Sequence, residues 1–96
     1  LVTFTFRFQI ALGSKDIRVN AISAGPMRTL AGAAIANARN VYNYTQKNSA
    51  LKRNVNLDEL GNTALYFVSD LSKSVTGEVH YVDCGFNIIG MPSADS

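Results

Sequence analysis

At 96 residues the chain has room for at most one small domain, in which the share of surface buried on folding is modest. Its 47% hydrophobic and 17% charged content excludes disordered and collagen-like classes, and nine Lys and Arg against seven Asp and Glu, scattered along the chain, leave a formal +2 with no nucleic-acid footprint. The single cysteine, Cys84, rules out an intrachain disulfide and fits a reducing compartment, no metal cluster is visible, and no apolar run reaches the roughly eighteen residues of a membrane span.

The opening stretch LVTFTFRF alternates like a strand, whereas FQIALG ends like a helix stopped at Gly13. It has neither a basic lead-in nor a cleavage site, so the reading is a soluble chain that begins inside an element. After the polar turn SKD, the segment IRVNAI sets Ile17, Val19, Ala21 and Ile22 into a short apolar strand interrupted by Arg18 and Asn20, as in a parallel sheet.

No regular element continues through SAGPMRT. Gly25 permits unusual φ, Pro26 lacks a backbone donor and pushes Gly25 out of the helical region, and Thr29 suits the N-cap of a helix starting at LAGAAIANA. The asparagine-rich NVYNYTQKNS then reads either as a helix of low propensity or as a connection.

In VNLDELGNTALYFVSDL, Asn56 and Glu59 have capping-box spacing, Val55 and Leu60 stand at hydrophobic-staple positions, and Leu60, Ala64, Phe67, Val68 and Leu71 recur as one buried face. Gly61 within that helix predicts a close backbone approach by a flat neighbour. SKSVTG ends the helix, and EVHYVDCGF supplies a second strand with Val79, Tyr81 and Val82 inward.

Two strands joined through helices imply parallel pairing by a right-handed crossover. Two parallel strands cannot cover both their faces, so the predicted fold class is α/β, the C-terminal portion of a doubly wound parallel-sheet (Rossmann-like) domain in strand–helices–strand order.

IRVNAISAGPMRTLAG, DELGNTALYFVSDLSKSVTGEVHYVDCGF and the spacing between them resemble the C-terminal part of the enoyl-acyl-carrier-protein reductases, the NADH-using branch of the short-chain dehydrogenase/reductase superfamily. RVNAI and TGEV followed by VDCGF look like general superfamily landmarks, and SAGPMRT is closer to the enoyl reductase form. The likeness runs from about Ala11 to Met91, with residues 1–10 atypical and 92–96 a tail.

The resemblance implies NADH-dependent reduction of the trans-2 double bond of an acyl-carrier-protein thioester in fatty-acid biosynthesis. It also implies a homo-oligomer, a tetramer in the intact family, with a cytoplasmic or plastid-like location and no nucleic-acid or membrane partner. Residues Ala24, Gly25, Pro26, Met27 and Thr29 correspond to the NAD/NADH site, with the backbone around Pro26 and Met27 meeting the nicotinamide carboxamide and Thr29 near the pyrophosphate. The carboxyl end of a parallel strand and a helix N-terminus are also where physical reasoning puts a dinucleotide. Leu30 to about Asn40 corresponds to a flap over the acyl chain, with Ala31 and Ile35 lining it.

The family's catalytic tyrosine and lysine lie upstream of the match, so the 96-residue chain alone is predicted to be inactive. Only Tyr66 and Lys73 reproduce their seven-residue spacing, and these lie on an element that corresponds to a structural helix. Cys84 stands where the VDGG landmark has a small residue and reads as a small buried hydrophobe, and His80 reads as a structural strand histidine. Two alternatives stay open: another short-chain reductase such as a ketoacyl reductase, and a non-catalytic remnant that acts only by packing on intact subunits.

Overall fold

The computed structural model describes residues 10–27, 37–92 and 94. Over these the regular elements are strand β1 (Ala21–Ala24), helix α1 (Ala38–Asn48), helix α2 (Leu57–Val68) and strand β2 (Val79–Val82), with 3-10 turns at Asp70–Ser72 and Phe86–Ile88. The expected parallel pairing is present, Ala21 facing Val79 and Ala24 facing Val82. The strands are shorter than the segments IRVNAI and EVHYVDCGF predict, and β1 starts later, at Ala21.

Residues 10–13 are helical with Gly13 the last helical residue, as expected, but Gly13 is not the left-handed residue that closes the end. Ile17 N–H reaches back to the Leu12 carbonyl at 3.3 Å and Asp16 N–H to Gly13 at 3.0 Å, with Asp16 at φ 59. That is a Schellman closure with an aspartate in the left-handed position, which short polar side chains tolerate better than most.

The segment before β1 is held mainly by side chains, beside one backbone bond from Gly77 N–H to the Val19 carbonyl at 3.0 Å. Arg18 donates through Nη2 to the Phe67 carbonyl at 2.9 Å and through Nη1 to the Val75 carbonyl at 3.1 Å and to Ser72 Oγ at 3.0 Å. Asn20 donates to the Val75 carbonyl at 3.0 Å and accepts from Glu78 N–H at 3.1 Å. Arg18 thus closes the carboxyl end of α2, whose last carbonyls have no partner within the helix. Ser72, nearly fully buried, has Oγ 2.7 Å from the Tyr66 carbonyl in the same cluster.

The amino end of α2 is closed as predicted: Glu59 N–H donates to Asn56 Oδ1 at 2.8 Å and Asn56 N–H to Glu59 Oε1 at 3.1 Å, a complete capping box. Val55, at the staple position, is 5% exposed.

The inward face of α2 differs from expectation. Phe67 is 8% exposed and meets the His80 ring edge-on at 5.4 Å, so His80, not Tyr81, is the β2 residue turned to the helix. Val68 and Leu71 are 79% and 82% exposed, and Leu57 and Leu65 are also exposed. On a helical wheel Leu57, Leu65 and Val68 lie to one side of Phe67, so α2 carries a second apolar stripe. Gly61 belongs to that stripe: a Cβ there meets nothing within 4 Å among the described residues, so no flat neighbour accounts for it.

NVYNYTQKNS resolves as the helix alternative, since α1 runs to Asn48 with no acidic residue in its first turn. Its exit is tied down by the fully buried Ser49, whose Oγ donates to the Arg53 carbonyl and accepts from Arg53 N–H. Tyr44 meets Phe86 edge-on at 6.1 Å, which joins α1 to the turn after β2.

Candidate functional site

β1 delivers Ala24 at its carboxyl end, and Gly25, Pro26 and Met27 follow without regular structure, each half-buried. Gly25 N–H donates to the Val82 carbonyl at 3.0 Å, extending the ladder one residue beyond the strand. The sequence suggests unusual φ at Gly25, but among the described residues the positive-φ glycines are Gly77 and Gly85. The requirement is steric: a Cβ on Gly25 would lie 3.2 Å from both Cα and Cβ of Asp83. Beside the ends of β1 and β2, the turn at 24–27 therefore presents backbone polar groups with no titratable side chain.

Thr29, Ala31, Ile35 and most of the flap lie outside the described residues, as do residues 1–9. The end of the flap segment is described: Asn37 sits at φ 64 and α1 begins at Ala38. Tyr66 is on α2, but the helix ends at Val68, so Lys73 does not stack two turns above it as the seven-residue spacing requires on one helix.

The turn after β2 faces Gly25. Asp83 accepts from Gly85 N–H through Oδ1 at 3.0 Å and from Asn87 N–H through Oδ2 at 3.1 Å. Cys84 is half-buried with φ 57, less buried than the small buried hydrophobe expected, and the small residue of this landmark occupies a left-handed position that disfavours any side chain. Gly85, at φ 84, packs so tightly that a Cβ would lie 2.7 Å from Ala50 Cβ, and Leu51 N–H donates to the Cys84 carbonyl at 3.0 Å.

An open cleft of about 510 Å³ lies along this turn, lined among others by Arg53, Glu59, Tyr81, Asp83 and Cys84, and by none of residues 24–27. Arg53 makes a two-pronged pair with Glu59 at 2.8 and 2.7 Å. That hydrogen bonding raises the guanidinium above its ordinary value, with a smaller electrostatic contribution from Cys84, and it holds the Glu59 carboxyl below the usual range. His80 has its Nδ1 2.8 Å from Glu78 Oε1 and its ring against Phe67, a structural setting. Among the described residues no group of three His, Cys, Asp or Glu could hold a metal ion, and no helix is long and apolar enough to cross a membrane.

Two residues that shape the surroundings of this turn, Asp83 and Arg18, are not singled out by the sequence. Asp83 carried a signal, since aspartate before Cys-Gly favours a turn closed by its own side chain. Arg18 carried none beyond interrupting an apolar strand.

Residues 4–87 match the family described as Enoyl-(Acyl carrier protein) reductase. An enoyl-[acyl-carrier-protein] reductase [NADH] of Rhizobium meliloti is 58% identical over 84 residues, covering 88% of this chain and 31% of the relative. One from Rickettsia typhi is 52% identical over 79 residues, 82% of this chain and 30% of the relative. Among solved structures, FabI from Candidatus Liberibacter asiaticus superimposes with a TM-score of 0.89 at 55% identity, over 97% of this chain and 36% of that one. The Anaplasma phagocytophilum enoyl-acyl-carrier-protein reductase in complex with NAD does so with a TM-score of 0.88 at 41% identity, over 100% of this chain and 34% of that one. The chain thus spans about a third of the length of the proteins it matches, and its parallel pair with a helical crossover is part of a Rossmann-like α/β domain. These curated relatives are bacterial, and the plastid-like location is not borne out.

Proposed function

The chain belongs to the enoyl-(acyl carrier protein) reductase family, and on that premise we propose that it forms the C-terminal third of an NADH-dependent reductase of trans-2-enoyl thioesters carried on acyl carrier protein. The nicotinamide, when bound, supplies hydride to the β-carbon of the enoyl group. Residues 24–27 form one wall of its site, with the backbone of Pro26 and Met27 toward the carboxamide. A side-chain-free approach to Asp83 fits a flat ligand held by backbone groups. By the family resemblance we assign Thr29 to the pyrophosphate and Ala31 and Ile35 to the acyl chain, with the tyrosine and lysine that handle the proton supplied by the upstream part of the protein. The intact protein is a homo-oligomer.

The observation that carries this reading is the 24–27 turn at the carboxyl ends of a parallel pair, in a chain that superimposes on a reductase solved with NAD. The test is a chimera in which this chain replaces the matched 84 residues of the Rhizobium meliloti relative. With NADH it should reduce crotonyl thioester, while the 96-residue chain by itself should show no turnover. A chimera that melts like its parent yet reduces acetoacetyl thioester and not crotonyl thioester would sink the reading in favour of a ketone reductase.

A further inference from the structure

One short turn touches the proposed cofactor-side turn and the exit of α1, the helix whose first turn ends the flap segment. On one side, Asp83 Cα and Cβ lie so close to Gly25 that an added methyl would sit 3.2 Å from each and require a shift of a few tenths of an ångström, and Val82 accepts the Gly25 N–H. On the other, Cys84 accepts the Leu51 N–H and Gly85 abuts Ala50, immediately after α1 and its buried Ser49. The Asp83 carboxylate holds these two contacts in fixed relation, because its two oxygens are each committed to a backbone N–H, of Gly85 and of Asn87. An isolated left-handed pair, Cys84 and Gly85, would otherwise be the softest part of the turn.

We propose that Asp83 is a positioning residue: by clamping the turn 83–87 it sets the cofactor-side turn at Gly25 and the α1 exit at Ala50–Leu51 together. This rests on the reading proposed above, in which residues 24–27 lie at the nicotinamide and the first turn of α1 belongs to the acyl side. While the clamp holds, a clash on one side displaces the neighbour on that side and not the turn; once the clamp is lost, neither neighbour has a fixed surface to pack on. Loss of one carboxylate oxygen therefore disturbs both sites, whereas a methyl on Gly25 disturbs one.

The test uses the chimera with Asp83→Asn, Gly25→Ala, and Gly85→Ala with and without Ala50→Gly. We expect Gly25→Ala to raise the KM for NADH about tenfold and to leave that for the thioester within about twofold. Gly85→Ala should raise the thioester KM, with Ala50→Gly restoring part of it, and Asp83→Asn should raise both. Hydrogen exchange supplies a readout independent of the reaction: Asp83→Asn should accelerate exchange at both the Gly25 and Leu51 amides. An Asp83→Asn chimera that shifts one KM only, or whose faster exchange is confined to residues 85–87, overturns the proposal. So does a uniform loss of stability and kcat in all variants with both KM values unmoved. If the unsubstituted chimera fails to reduce enoyl thioester, the proposed reaction falls, and the exchange at Gly25 and Leu51 still decides the coupling.

Discussion

The two ends of α2 are closed by different means. At the amino end the partners stand three residues apart, Asn56 and Glu59, and both are exposed enough to exchange with water. At the carboxyl end the closing group is Arg18, 49 residues before the Phe67 carbonyl it binds, packed with the buried Ser72. A local cap stabilises a helix wherever that helix goes. A distant one also fixes where the helix sits, because the same arginine belongs to the segment that leads through β1 into the turn at 24–27. The second end therefore sets architecture as well as helix length.

Substitutions sharpen that contrast, and the largest effect belongs to the distant cap. In the chimera, Arg18→Ala leaves the carbonyls of Phe67 and Val75 without their charged donor and should cost about 3 kcal/mol in a urea denaturation series. Arg18→Lys should restore less than half of that, since an ammonium cannot span the forked geometry. Asn56→Ala removes the local cap and should cost about 1 kcal/mol by the same measurement. If the two losses come out equal, the distinction between the ends fails.

The smallest effect is the pH response of the local end. Arg53 hydrogen bonding holds Glu59 below its ordinary value of 4.5. A folded value below the unfolded one means that the contribution is fully present above about pH 4.5 and is lost as the pH falls through the lower folded value. Melting temperatures measured from neutral pH to about pH 3 should therefore fall slightly less steeply for Arg53→Gln than for the parent. An unchanged slope would assign no stabilising role to the pair.

This contrast also explains what could be read in advance. The capping box and staple were legible because each is a pattern within six residues, as was the parallel pairing from strand–helix–strand order. The arginine clamp was not, since nothing adjacent to Arg18 announces carbonyls so far along the chain. Periodicity marked Val68 and Leu71 as apolar but carried no information on what covers them, and both are exposed. The turn at 24–27 was found by its glycine and proline, yet the reason for Gly25 lay in Asp83, a residue that only the parallel register brings near. The charge is less evenly scattered than its sum suggests: Arg18, Arg28, Arg39, Lys47, Lys52 and Arg53 fall between Asp16 and Asp58 with no acidic residue among them.

The span between Asn20 and Glu78 has a consequence for synthesis. These partners are 58 residues apart, and a ribosome adding about 5–20 residues per second takes roughly 3–12 s to cover that distance. Chain collapse takes microseconds by comparison. Throughout that interval β1 is already made and its partner strand is not, so pairing of the two waits on translation rather than on diffusion.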